Sequence, residues 1–143
     1  MKRLTLFVAV AALLHAVGDS SAQQQVDRKG IRSTIKLDQV VSGYLTELNG
    51  KYKLRITESI YEPGGYVGDH QHVGPGIRCL VYGERTDVSQ GKTTVHKAGD
   101  CWYTPGDITN SASNRSDSPA RILNFEIVPA DLDRPSVIPP KPK

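Results

Sequence analysis

Short apolar runs separated by turn residues dominate the hydrophobic pattern of this chain. The runs are rich in β-branched and aromatic residues, which are typical of β-strands. The clearest are residues 31–41, 54–61, 77–82, 93–96, 101–104 and 122–128. Between them lie turn residues such as Gly43, Asn49-Gly50, Pro63-Gly64-Gly65, Gly91, Gly99 and Pro105-Gly106. This succession predicts an all-β sandwich or barrel.

Helix is expected at one place at most. Residues 37–44 could form a short helix, but no sustained helical periodicity and no internal repeat occur in the sequence. Aromatic residues make up only 6% of the chain, while glycine and proline are plentiful. That composition favours short strands joined by turns over long helices.

The amino terminus reads as a targeting segment. Met1-Lys2-Arg3 is basic, and residues 4–17 are apolar apart from Thr5 and His15. This run is short for a membrane span, and the small residues that end at Ala22 suit signal peptidase. We expect a signal peptide over residues 1–22, export to the periplasm or beyond, and no stable membrane anchor. An uncleaved anchor is the alternative.

The charge balance argues against two classes of partner. The net charge is +3, and removal of the leader takes away two cations and one anion, which leaves +2. So weak a balance does not point to nucleic acid or to an anionic membrane surface. About 120 residues remain, enough for one domain with a single core.

The most informative stretch runs from Pro63 to Glu84 and contains His70-Gln71-His72. On a β-strand alternate side chains face the same side, so both imidazoles can reach one metal ion or one ligand. The alternative is a polar strand or loop at the surface, flanked by Gly68 and Gly74. The glycines before the pair and the apolar run after it favour strand, turn, strand.

Two spacings identify a family resemblance. Gly64 or Gly65 is followed by His70, His72 and Gly83, and this order resembles the first signature of the cupin superfamily. Gly99, Pro105 and Asn114 likewise resemble the second cupin signature. The resemblance covers roughly residues 28–130. It implies an all-β jelly-roll, or double-stranded β-helix, barrel over residues 23–130, as in a small single-domain cupin of the conserved-barrel type.

The resemblance also implies a metal site, with departures. Cupins take two His and a Glu from the first signature and a third His from the second. Here His70 and His72 match, but Gly76 stands near the Glu position and Asn110 at the third His. We expect His70, His72 and Asn110 as ligands of a divalent transition metal, Fe, Mn, Ni or Zn. Asp107 and Glu126 are alternative donors, and His96 is expected at the surface.

Four further residues are candidates for binding a small-molecule ligand. Arg78 shares a strand face with Gly76, so its guanidinium could bind an acidic or carbonyl-bearing substrate, unless it faces solvent or pairs with an acid. Tyr66 and Tyr103 are candidate pocket walls, although aromatic residues on strands are often plain core. Glu126, on the last strand, could face the pocket.

The two cysteines are expected to meet. In the cupin topology the strands that follow His72 and Gly99 are antiparallel neighbours, which brings Cys79 close to Cys101. Export would place them in an oxidising compartment, where a disulfide forms. Two buried thiols are the alternative.

Two functions remain open on this basis. The first is an exported small cupin that binds a divalent metal, a small molecule or both through His70 and His72, with dioxygenase, isomerase or lyase chemistry if it is an enzyme. The second is a metal-free binding module. A homodimer is possible because small cupins commonly dimerise. The proline-rich tail, residues 131–143, is expected to be extended along the surface, disordered, or docked on a neighbouring subunit.

Overall fold

The computed structural model describes residues 25–142, which are built from nine β-strands. The strands are β1 Arg28–Val40, β2 Tyr52–His72, β3 Gly76–Tyr82, β4 Glu84–Ser89, β5 Lys92–Lys97, β6 Cys101–Thr104, β7 Asn110–Ser113, β8 Ala120–Pro129 and β9 Val137–Ile138. The all-β prediction is confirmed. The predicted leader, residues 1–22, lies outside the described residues. No helix within residues 25–142 is long and apolar enough to cross a membrane.

The short helix expected over residues 37–44 is wrong. Residues 37–40 instead continue β1, which pairs with β2 from Leu37 opposite Ile56 to Val40 opposite Lys53. Residues 41–50 contain turns. A long antiparallel ladder supplies a partner for these backbone groups, and that tertiary pairing outweighs a weak local helix preference.

The long strand β2 connects the two parts of the curled sheet. Its first half pairs with β8 and its second half with β7, in a sheet ordered β5-β4-β7-β2-β8-β3-β6. On its other edge, β1 pairs with β2 as far as Val67, and β9 pairs at Gln71 and His72. The second half of β2 therefore carries the histidine pair at the point where the amino-terminal and carboxyl-terminal strands meet.

A small apolar core fills the concave side of the sheet. It consists of Tyr61, Val67, Leu80, Ala112, Ala120 and Ile122. Several charged side chains are as deeply buried as this core, including Arg55, Arg78 and Arg85. Charged groups are rarely buried unless they are paired, so these arginines mark the region where the interior is polar.

Asn114, which matched the end of the second cupin signature, holds the loop between β7 and β8. Its side chain is 1% exposed. The Nδ2 amide donates to the carbonyls of Tyr61 and Ser118, and Oδ1 accepts the backbone N–H of Ser116 at 3.0 Å. From its buried position it therefore satisfies backbone groups of an exposed loop.

The disulfide expected between Cys79 and Cys101 is present. The two residues lie directly opposite each other in the ladder of β3 and β6, and a bond joins their sulfurs. The bond ties β6, an edge strand, to its neighbour.

The carboxyl-terminal segment, residues 131–142, folds back on the barrel of its own chain. Leu132 and Ser136 are buried, and the backbone N–H of Val73 donates to the carbonyl of Ser136 at 2.8 Å. The tail expected along the surface or disordered is therefore partly integrated into the domain. Arg55 and β2 supply the polar partners that hold it there.

Candidate functional site

His70 and His72 lie side by side in the interior. Their ring centroids are 5.0 Å apart, with the rings edge to face, and His70 is only 2% exposed. Gln71 between them points away and donates to the carbonyl of Asp107. This is the alternation that a strand imposes.

Both rings line a cavity of about 280 Å³, here called the inner cavity. It lies between β1, β2, β8 and the carboxyl-terminal segment. Its apolar wall includes Ile31, Ile35, Tyr61 and Val67, and its charged wall includes Arg28, Arg55, Arg78, Arg85, Glu126 and Arg134. Residues 133–137 also line it, so the tail forms part of the site.

His70 is fixed in one neutral tautomer. Its Nδ1 lies 2.8 Å from the carbonyl of Gly68, which can only accept, so Nδ1 carries the proton. Burial lowers the pKa of His70 to about 3, and the positive charges of Arg85 and Arg78 act in the same direction. The ring is therefore neutral near pH 7, with a lone pair on Nε2.

His72 is held in the same tautomer by Glu126. The imidazole Nδ1 lies 2.9 Å from Oε1 of the carboxylate. Burial lowers the pKa of His72, although its hydrogen bond to Glu126 opposes that shift. A neutral His72 donates from Nδ1 and leaves its Nε2 lone pair available as well.

Glu126 is the hub of this arrangement. It accepts hydrogen bonds from His72, from Arg78 Nη2 at 2.9 Å and from Ser136 Oγ at 2.6 Å. Burial raises the pKa of Glu126, but the bond from His72 and the charge of Arg78 outweigh burial and lower the pKa to about 2. The carboxylate is ionised and well supplied with donors.

Arg78 occupies the space next to the place of the usual cupin acid. A Cβ built on Gly76 would lie 2.4 Å from Arg78 Nη1 and 2.4 Å from the backbone oxygen of Phe125. No side chain fits there without a shift of the backbone. Arg78 is 1% exposed, and within residues 25–142 its Nη1 has no hydrogen-bond acceptor.

Sequence reasoning missed Arg85, which lies on the unpredicted strand β4. Its guanidinium donates to Asp87 and lies 5.4 Å from the ring centres of both Tyr61 and Trp102. Cation–π contact and the ion pair together compensate its burial. No local signal marks it, because residues 84–89 are almost all polar and show no hydrophobic alternation.

Arg55 and Ser136 were missed as well, and both fasten the tail. Arg55 pairs with Asp38 and donates to the carbonyls of Leu132 and Arg134, each at 2.8 Å. Ser136 reaches the carboxylate of Glu126. Nothing local in the sequence marks either residue, because each acts through partners far away along the chain.

Asn110 lies opposite His70 in the ladder of β2 and β7 but lines a different space. This side cleft, of about 500 Å³, also includes His72, His96, Trp102 and Tyr103. The structure therefore does not bring Asn110 into the inner cavity with both histidines.

Of the remaining predicted residues, three lie outside the inner cavity and two line it. Tyr103 is 66% exposed at the edge of the side cleft, and Tyr66 donates its hydroxyl to Asp27 at 3.0 Å. His96, expected at the surface, is half-buried and stacks on Trp102 with ring centroids 3.6 Å apart. Glu126 and Arg78 do line the inner cavity, paired with each other.

The residues present do not fit the usual three-ligand metal site. Within residues 25–142 no group of three or more His, Cys, Asp or Glu side chains could hold a metal ion. The carboxylate of Glu126 is engaged by three donors, and the guanidinium of Arg78 places a positive charge beside His72. A divalent cation would gain two imidazoles there and be repelled by an arginine.

Comparisons with known proteins identify the architecture. No protein-family model matches the chain, and no curated protein is significantly similar. Among solved structures, the polyketide cyclase RemF from Streptomyces resistomycificus has a TM-score of 0.57 at 18% identity, over 81% of this chain and 75% of that one.

Two cupin domains are similar to a comparable degree. A Cupin 2 conserved barrel domain protein from Salinispora arenicola has a TM-score of 0.54 at 18% identity, over 73% of this chain and 81% of that one. A cupin domain from Bordetella pertussis has a TM-score of 0.52 at 21% identity, over 71% and 96%. These identities bear on architecture alone. The chain therefore has the double-stranded β-helix fold of these cupin domains.

Proposed function

We propose that the inner cavity binds a small organic molecule directly, through His70 and His72, without a bound metal ion. The observation that carries this proposal is the position of Arg78. Its guanidinium fills the space beside Gly76, bonds the carboxylate of Glu126 and lies 3.1 Å from His72 Nδ1. These three features remove the carboxylate ligand and add a positive charge in its place.

The two imidazoles are suited to direct recognition of a ligand. Both are neutral with the lone pair on Nε2, so each accepts a hydrogen bond from an O–H or N–H group. The apolar wall of Ile31, Ile35 and Val67 offers contact for a carbon skeleton. A volume of about 280 Å³ lies at the low end of the range for ligand sites, which favours a small molecule.

A metal held by His70 and His72 is the second candidate. The observation in its favour is that both tautomers leave Nε2 free to coordinate. Two protein ligands next to an arginine would bind a divalent metal weakly. The polyketide cyclase RemF is similar in fold only, so its activity does not choose between the candidates.

Retention of a natural compound tests the proposal. Mature protein treated with EDTA would be mixed with the low-molecular-mass fraction of the producing culture, gel-filtered and then denatured for mass spectrometry. We expect a compound that wild type and His96→Ala retain and His70→Ala/His72→Ala does not. Retention only after a divalent metal is added back would contradict direct binding.

We also propose that the protein acts outside the cytoplasm. The leader pattern of residues 1–22 supports this, and so does the disulfide between Cys79 and Cys101, because such bonds persist in oxidising compartments. Protein recovered from outside the cytoplasm should begin at Gln23 and show no free thiols after unfolding without reductant. An intact Met1 or two thiols would refute the proposal.

A homodimer through the outer face of the sheet is a further proposal. Apolar side chains on four strands remain exposed there, including Leu37, Leu54, Ile77 and Phe125, around a groove of about 420 Å³. Contiguous exposed apolar surface of this kind favours association. Sedimentation velocity should give a dimer for wild type and a monomer for Ile77→Lys, whereas a monomeric wild type would rule the dimer out.

A further inference from the structure

Arginine side chains surround the inner cavity at two depths. Arg55, Arg78 and Arg85 form its buried wall, and each is less than 5% exposed. Arg28 and Arg134 are exposed residues that line the same cavity. Five guanidinium groups therefore line this one cavity.

The acidic residues of the cavity wall are fewer. Among the described residues that line the cavity, only Glu126 and Asp133 are acidic. Arg55 and Arg85 do have carboxylate partners, Asp38 and Asp87, but neither of these lines the cavity. When these two partners are counted as well, four carboxylates face the five guanidinium groups, which leaves an excess of one positive charge.

The positive charge of the arginines also affects the pKa values of the two histidines. Burial is the main cause of their lowered pKa values, and the charges of Arg78 and Arg85 lower both further, whereas Glu126 raises the pKa of His72. Burial disfavours a charge of either sign, but the two arginine charges, which disfavour a positive imidazole, stabilise a negative charge at the same place.

Arg78 has unused donor capacity. Its Nη2 bonds Glu126, but its buried Nη1 has no acceptor within residues 25–142. A buried donor without a partner costs free energy, and a small shift of the guanidinium towards an incoming carboxylate would recover part of it.

We propose that the ligand of the inner cavity is a small organic acid. This rests on the direct binding proposed above. Its carboxylate faces the guanidinium groups of Arg78 and Arg85, and an O–H or N–H elsewhere in the molecule donates to Nε2 of His70 or His72. Its carbon skeleton lies against Ile31 and Ile35.

Charge-matched pairs of compounds test the inference. Isothermal titration of EDTA-treated mature protein would compare 4-hydroxybenzoate with 4-hydroxybenzamide, and 2-hydroxyisovalerate with its amide. Charge-assisted hydrogen bonds predict that at least one acid binds roughly ten-fold or more tightly than its amide. Arg78→Met should abolish the preference, and Arg121→Met, which removes an arginine paired with Glu58 outside the cavity, should keep it.

A second variant leaves the buried ion pair of Arg78 and Glu126 intact. Arg28→Ser/Arg134→Ser changes only exposed residues, so it should fold and still bind the acid several-fold more weakly. Equal affinity for acid and amide would overturn the acid preference and leave direct binding intact. Failure of both acids to bind would also overturn it, and binding that appears only after zinc or manganese is added would overturn both proposals.

Discussion

Arg78 and His72 are in contact: Nη2 of the guanidinium lies 3.1 Å from Nδ1 of the imidazole. Because that nitrogen donates its hydrogen to Glu126, the contact places a cation beside a neutral ring, with the shared carboxylate between them. The polar side of the cavity is therefore built around the ion pair between Arg78 and Glu126.

Glycine at position 76 is a steric requirement. An alanine there would place Cβ 2.4 Å from the backbone oxygen of Phe125 and 2.4 Å from Arg78 Nη1. Backbone cannot move as cheaply as a side chain, so we expect Gly76→Ala to lower the free energy of unfolding by about 1–3 kcal/mol. Urea unfolding measures the loss.

Gly68→Ala is the matched control for that experiment. Its nearest contact would be 3.3 Å, from the backbone oxygen of Asp27, and the expected loss is smaller. Equal stability of Gly76→Ala and wild type would show that the guanidinium does not depend on this space.

Acid should destabilise the protein through His70. Its pKa is 6.5 in the unfolded chain and about 3 in the folded one, so the neutral form is favoured by folding. That stability is fully present above pH 6.5 and is lost as the pH falls towards 3, at about 1.4 kcal/mol per pH unit well below 6.5. Urea unfolding between about pH 7 and about pH 5 covers a range in which few ordinary carboxyl groups titrate.

The variant His70→Gln separates the pH dependence caused by His70 from that caused by the other histidines. It should reduce the dependence on pH, whereas His96→Ala, which changes a less buried ring, should retain most of it. The same free energy of unfolding at both pH values in wild type would contradict the burial of a neutral His70.

Ser136 should restrict access to the histidines. Its hydroxyl joins the tail to Glu126, and hydrogen bonds to charged groups contribute about 1.5–3 kcal/mol. We expect Ser136→Ala to lower stability by a similar amount and to speed diethylpyrocarbonate modification of His70 and His72, read by peptide mass spectrometry. Ser118→Ala, at an exposed loop serine, is the control. Unchanged modification rates in Ser136→Ala would show that the tail does not cover the site.

The sequence predicted those parts of the fold that depend on local pattern and on strand register. The glycine-marked turns and the cupin spacing placed Cys79 opposite Cys101, and the structure confirms it. Strands β4 and β7 were missed because their polar residues, such as Asp87 and Asn110, hide the alternation. The helix expected over residues 37–44 failed because pairing with β2 decided that segment.

The candidate site was harder to predict because its partners are distant in sequence. Glu126 was suspected from its place on the last strand, but its bonds to His72 and Ser136 join three separate segments. In the sequence alone, Gly76 indicated that the metal-binding acid is missing, and Arg78 indicated a guanidinium free to bind a substrate. Only the packing of β3 against β8 shows that the guanidinium fills the space beside the glycine.

Metal content tests the central claim most directly. Mature protein purified without a histidine tag would be exposed to Fe, Mn, Ni and Zn, gel-filtered and analysed by elemental mass spectrometry beside His70→Ala/His72→Ala. The arrangement of Arg78, Glu126 and His72 predicts the same low content in both proteins, well below one ion per chain. Close to one ion per wild-type chain, lost in the double variant, would contradict a metal-independent cavity.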